Sequence, residues 1–176
     1  MKILKGLFLA ILGIIALILI IAIFLPSEYE VERSIEINKP VGLVYGYVSD
    51  FNNFRDWNPW SPMEVGHSFE VIGDSGSVGQ KYSWEGKIIG SGNMVFTEFQ
   101  NNQIVRLDIN FLSPEQGMGV VDWIFEGNNV NTKVTWKLVG EAGYPMGRYF
   151  GLMMDEFLGK NFEDGVKKLK ENCEAI

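Results

Sequence analysis

Cysteine and histidine each occur once, as Cys173 and His67, and proline only six times. A single cysteine excludes an intramolecular disulfide and any cysteine-based metal site. A single histidine, with no H-E-x-x-H or comparable spacing, cannot make a zinc centre without cysteines or several carboxylates in place. No metal or cofactor is expected. Basic residues are also scarce. Apart from Lys2 and Lys5, residues 28–176 carry 13 lysines and arginines against 22 acidic side chains, a net of −9. Such a surface repels phosphate backbones, which argues against a nucleic-acid partner. "GDSGSVG" (73–79) lacks the Lys-Ser/Thr of a phosphate loop and reads as a hairpin loop. No nucleophile elbow or Ser-His-Asp order is recognisable.

What is plentiful is apolar. Gly6 to Leu25 contains no charged side chain, and about 20 helical residues at ~1.5 Å rise span ~30 Å of hydrocarbon. The run is too long for a cleaved signal, and "AIFLPS" offers no small-residue cleavage pair, so residues 1–27 read as an uncleaved transmembrane signal-anchor. Lys2 and Lys5 precede it while Glu28, Glu30 and Glu32 follow. The positive-inside rule therefore expects a cytoplasmic N-terminus and an extracytoplasmic domain over 28–176 in a cell envelope.

Within that domain "EYEVERSIEI" (28–37) alternates as a strand with one wet face, Arg33 falling on the apolar parity. Asn38, Pro40 and the spacing of Leu43, Val44, Tyr47 and Val48 predict a short helix. Asp50 can cap a second through Phe51, Phe54 and Trp57, stopped by Pro59. From His67 to Glu141 about six strands follow, with turns at Asn101-Asn102 and Gly127-Asn128-Asn129. From Met146 to about Cys173, Phe150, Met153, Met154, Phe157, Leu158, Phe162, Val166 and Leu169 form one apolar stripe opposite lysines and acids. About seven antiparallel strands, two short helices and a long closing helix make an α+β fold, the helix laid across a bent sheet.

That order, with "VERSIEINKPVGLVYGYVSDFNNFRDWNPWSP", "YSWEG", "TKVTW" and "FEDGVKKLK", resembles the START-like helix-grip superfamily. It is most similar to the bacterial polyketide cyclase/dehydrase-like, SRPBCC-type proteins. The resemblance covers nearly all of 28–176 and rests on structural motifs. It implies a hydrophobic cavity between sheet and long helix, in proteins ranging from lipid carriers to cyclases, hydrolases and co-chaperones.

"FRDWNPWSPME" (54–64) places two tryptophans on a segment whose prolines forbid a continuous helix. Phe54, Trp57 and Trp60 are expected as rim and wall of a ligand cavity, the alternative being a plug on the core. Tyr82, Trp84, Phe111, Trp123, Met153 and Phe157 supply further bulk, more than a domain of this size needs to close its core. Arg33, if inward, needs a partner: it either snorkels out at the strand end or meets a carboxylate or an anionic ligand head. His67 is expected on the surface at a strand start, and the Asp155-Glu156 and Glu163-Asp164 doublets on a solvated face.

The reading favoured by these residues is a membrane-tethered binding module for a small hydrophobic or amphipathic, lipid-like ligand. The alternatives are a cyclase- or hydrolase-type enzyme, for which Arg33, Asp56, Glu64 and Tyr82 are the polar candidates, and an envelope interaction domain with a filled core. A void of ~300 Å³ or more separates a binding module from the last of these.

Overall fold

The computed structural model describes residues 2–176. An apolar helix, α1 (Lys2–Phe24), leads directly into β1 (Glu28–Ile37). Two short helices follow, α2 (Val41–Val48) and α3 (Phe51–Phe54), then a single 3₁₀ turn over Ser61–Met63. The remaining strands are β2 (Ser68–Ile72), β3 (Lys81–Glu85), β4 (Ser91–Gln100), β5 (Ile104–Ser113), β6 (Gly117–Gly127) and β7 (Thr132–Glu141). The chain ends with α4 (Met146–Gly151) and α5 (Met154–Ala175).

The seven strands form one antiparallel sheet in the order β1-β7-β6-β5-β4-β3-β2. Each strand from β2 to β7 pairs with its sequence neighbour, and β1 closes the far edge against β7. Short turns make that meander cheap: Asn102 takes a left-handed φ of 58° between β4 and β5, and Asn128 closes the β6–β7 turn by donating to the Asn131 carbonyl. A break in register between Phe96 and Glu98 bends β4, the strand distortion that curves a sheet.

One predicted helix is shorter than its sequence pattern, and another is capped differently. Asp50 does cap α3, its side chain accepting from the Asn52 N–H, but the helix stops at Phe54 and the chain turns through Trp57. Asn38 caps nothing; Pro40 takes the N-cap position of α2, and Asn38 bonds Glu174 of α5 instead. The closing helix is also divided, with α4 and α5 separated at Leu152 and Met153.

α5 lies across β1 and β7. Phe162, Val166, Leu169 and Cys173 recur at helical spacing on its inner face and are buried. Gly165 permits that approach, because a Cβ there would lie 2.7 Å from the Trp136 ring and 3.2 Å from Pro59. Every member of the buried core cluster lies between Val31 and Cys173, so residues 28–176 carry their own core.

α1 stands outside that core. Of its side chains, Ala22 is buried; nearly all the others are exposed. Its contact with the domain is made by α4 and the segment before it. The Arg148 guanidinium donates to the carbonyls of Ala22 (2.8 Å), Ile23 (3.0 Å) and Leu25 (3.3 Å). These groups lack intrahelical partners at a helix C-terminus, where a cation is favourable.

Candidate ligand cavity

The strand register sets the walls. Paired residues across a sheet share a face, so Trp123 and Trp136 lie side by side, as do Tyr82 and Met94 and Phe96 and Leu107. Toward one end of the sheet Trp84, Gly92 and Phe111 form a further row. Gly92 leaves room for Trp84 to lie across the sheet: a Cβ there would overlap the indole and sit 2.5 Å from the Asn110 carbonyl oxygen.

Between these walls, α3, the Trp57–Trp60 segment and α5 is an apolar cavity of about 120 Å³. It falls short of the ~300 Å³ set above as the mark of a binding module, so by volume alone the interior stands with the filled-core reading. It is close to the ~150 Å³ apolar void that admits benzene. Much of the expected room is taken by ring packing. Trp57 meets Phe54, Trp123 and Trp136 edge-on at centroid distances of 4.8, 5.2 and 5.8 Å, and Phe162 stacks on Trp136 at 4.0 Å.

The lining grades from closed to open. Phe51, Phe96, Leu107 and Trp123 are buried, whereas Trp60, Trp84, Ile89, Phe111 and Leu158 are partly exposed. The mouth is therefore at the Trp84–Phe111 end. At the same end Glu28 pairs with Glu141, and the Ala142 N–H donates to the Ser27 carbonyl at 2.8 Å. The mouth opens at the end of the sheet where α1 enters the domain.

Phe54, Trp57, Trp60, Tyr82, Trp84, Phe111 and Trp123 are thus brought together at one cavity. Trp57 is 2% exposed and sits inside the aromatic cluster, while Trp60 is at the rim; the segment is part plug and part rim. Met153 and Phe157 do not belong to the lining and are exposed. The apolar stripe is too wide for one face: Leu158 and Phe162 turn inward, and one residue back along the helix Phe157 is rotated by about 100°.

Arg33 does lie on the inward parity, opposite Trp136, but at the strand it is closed off by α5. Its guanidinium makes two bonds to the Asp155 carboxylate, at 2.8 and 3.3 Å. The carboxylate it meets is therefore the protein's own, and Asp155 is not simply a solvated charge. The Arg33 bond holds the Asp155 carboxyl below the usual carboxylate range. Glu64 is also occupied: it accepts the N–H groups of Lys87 (2.9 Å), Ile88 (2.8 Å) and Ile89 (3.2 Å), and the first two chiefly hold its pKa down. Asp56 is exposed beside Tyr47. The "GDSGSVG" loop is tied to α3 through Ser75 and Asp50, away from the mouth.

His67 departs most from expectation. It is buried and lines the cavity. Its Nδ1 lies 2.8 Å from the Glu64 carbonyl oxygen. A carbonyl only accepts, so Nδ1 carries the proton and Nε2 is left with a lone pair in the neutral ring. That Nε2 has no partner, and neither do Trp57 Nε1, Tyr82 Oη and Trp136 Nε1, all buried on lining residues. Burial also pushes the Tyr82 phenol above its ordinary range. The signal that could have marked His67 is its place after a turn and before "SFEVI", on the face shared with Phe69; nothing in the sequence shows that the Glu64–Gly66 segment folds over it.

Residues 28–174 match the family described as polyketide cyclase / dehydrase and lipid transport. No curated protein matches the sequence. Protein CV1439 from Chromobacterium violaceum superposes with a TM-score of 0.58 at 15% identity, over 85% of this chain and 99% of its own. The Zhui aromatase/cyclase from Streptomyces sp. R1128 gives 0.57 at 11%, over 84% and 94%. Protein Ms6760 from Mycobacterium smegmatis gives 0.57 at 14%, over 83% and 91%. At these identities the likeness is one of fold, the START-like helix grip. By its sequence match, the chain belongs to the polyketide cyclase / dehydrase and lipid transport family.

Proposed function

We propose that the chain is a membrane-tethered binding module for a small apolar or amphipathic molecule carrying an oxygen function. The observation that carries this is the set of buried polar atoms on the cavity lining that bond nothing: two indole N–H donors, one phenol and one imidazole lone pair. A buried polar group without a partner costs about 1–3 kcal/mol, so an arrangement with four of them favours a guest that pairs with some. A hydroxyl or carbonyl accepts from Trp57, Trp136 or Tyr82, and a hydroxyl also donates to His67 Nε2. Apolar burial at ~25 cal/mol per Å² supplies the rest of the affinity. The cavity as it stands takes a ring or a short chain end; a lipid-like molecule requires Trp60 and Leu158 to swing outward.

The tether is α1. Ile3–Phe24 is long and apolar enough to cross a bilayer and carries almost no buried surface, and its N-terminal lysines set the cytoplasmic side. Anchoring keeps the cavity near the bilayer and raises the effective concentration of lipid-like ligands.

Denaturing mass spectrometry of purified residues 28–176 tests the binding reading: a stoichiometric organic molecule of low mass is expected. An empty domain that also fails to bind phenol or apolar fluorescent probes contradicts it. A second reading, catalysis of the cyclase or hydrolase kind, draws on the unpartnered His67 Nε2 as a general base. Against it, the lining contains no carboxylate, and Asp56 and Glu64 point their chemistry elsewhere.

A further inference from the structure

The segment from Tyr144 to Phe157 is apolar where it ought to be wet. Tyr144, Met146, Phe150, Leu152, Met153 and Phe157 are all more than two-fifths exposed, with Phe150 at 55% and Leu152 at 60%. So contiguous an apolar surface marks an interaction site.

Its position says what covers it. The Tyr149 hydroxyl donates to the Ile18 carbonyl at 2.7 Å, and the Tyr144 hydroxyl to that of Leu19 at 3.0 Å. Arg148 holds the carbonyls of Ala22, Ile23 and Leu25. α4 is thereby fixed alongside the last two turns of α1. Ile18 lies six residues before the end of α1 at Phe24, or about 9 Å along the axis at 1.5 Å per residue. Amphipathic helices that lie in a membrane surface bury their apolar face about 5–10 Å into the boundary between headgroups and acyl chains. Tyrosine at that level matches the interfacial aromatic belt, and arginine beside a helix end is placed to reach the headgroups. The cavity mouth is at this same end, where Ile88, Leu112 and Met118 are exposed as well.

We propose that the exposed side chains of Tyr144, Met146, Phe150, Leu152, Met153 and Phe157 form a second membrane contact, a non-spanning apolar collar that enters the bilayer beside α1, with Asp155 and Glu156 left at the headgroup level, and presses the cavity mouth against lipid. This rests on α1 being a membrane anchor. The occupant is the acyl region of a bilayer, not its headgroup charge. The domain is net acidic; at this end Glu115, Glu141 and Glu156 outnumber Lys87, while Asp155 is paired with Arg33 and Arg148 is held by the α1 carbonyls. Contact therefore needs no anionic lipid and resists salt, because apolar burial is not screened as charge attraction is.

The test uses the full chain reconstituted into phosphatidylcholine vesicles, with an environment-sensitive nitrobenzoxadiazole dye on Leu152→Cys or, as a far-end control, on Val130→Cys. Native Cys173 is buried and its thiol is pushed up to about 12, so it stays unlabelled. The Leu152 site is expected to emit blue-shifted and to be quenched by brominated acyl chains, the Val130 site neither. Separately, residues 28–176 are expected to float with phosphatidylcholine vesicles in high salt, and Phe150→Ser/Phe157→Ser to bind at least tenfold more weakly while keeping phenol affinity. Water-like emission at Leu152, flotation that needs anionic lipid, or a double variant that floats as well as the parent overturns the collar. Loss of phenol binding with flotation intact would instead strike the cavity reading and leave the collar standing.

Discussion

Trp57→Phe separates the two roles of the Trp57 ring. Full truncation, Trp57→Ala, removes a side chain packed against Phe54, Trp123 and Trp136 and is expected to cost about 3–5 kcal/mol. At about 2–4 °C per kcal/mol for a domain of this size, that lowers Tm by about 6–20 °C. Trp57→Phe removes roughly two ring carbons, about 1.6 kcal/mol of transfer. It also removes the unbonded Nε1–H, relieving a burden of about 1–3 kcal/mol. The two nearly cancel, so stability in urea should stay within about 1.5 kcal/mol of the parent. Binding should respond differently. If Nε1 serves a guest oxygen, phenol affinity falls about three- to tenfold, the worth of one neutral hydrogen bond, while toluene of nearly the same size binds unchanged or better. Urea melts of residues 28–176 and titration with the two probes give both numbers. A Trp57→Phe variant as unstable as Trp57→Ala, or equal losses for phenol and toluene, refutes the reasoning.

Other expectations follow from neighbouring geometry. Arg33 holds the Asp155 carboxyl down, and the N–H groups of Lys87 and Ile88 do the same for Glu64. A carboxyl depressed in the folded state contributes stability above its unfolded pKa, about 4, and loses it as pH falls through the folded value. The Lys87–Ile89 amides should therefore lose exchange protection only below about pH 4, after correction for intrinsic rates; Glu64→Gln should lose that pH dependence. Gly92→Ala drives a methyl into Trp84 and the Asn110 carbonyl and should cost about 1–3 kcal/mol, read in urea, with weaker phenol binding. Cys173, buried and with its thiol pushed up to about 12, should resist iodoacetamide at pH 8 until the domain is unfolded.

The sheet was legible because its strands alternate and its turns carry asparagine and glycine. β1 reads directly as "EYEVERSIEI", and the β4–β5 and β6–β7 turns fall where Asn101-Asn102 and Gly127–Asn129 predict them. The lining aromatics on strands were legible for the same reason: period two fixes their face. The closing helix was less so. Its stripe from Phe150 to Leu169 is continuous in sequence, but an apolar residue is recorded there without saying whether protein or some other apolar medium covers it. Phe150, Met153 and Phe157 turned out to face away from the core. His67 and Glu64 were obscure because their roles come from non-local contacts: Glu64 is held by residues 87–89, and His67 is covered by the loop that Glu64 anchors. Local patterning contains no term for such pairings.

The most direct test is heteronuclear NMR of residues 28–176 titrated with phenol. The binding account predicts saturable shifts concentrated at the Trp57, Trp123 and Trp136 indole signals and at His67 and Tyr82, with α4 and the β6–β7 turn unmoved. Shifts absent throughout, or scattered over the surface without saturation, would show that the aromatic cluster is a closed core.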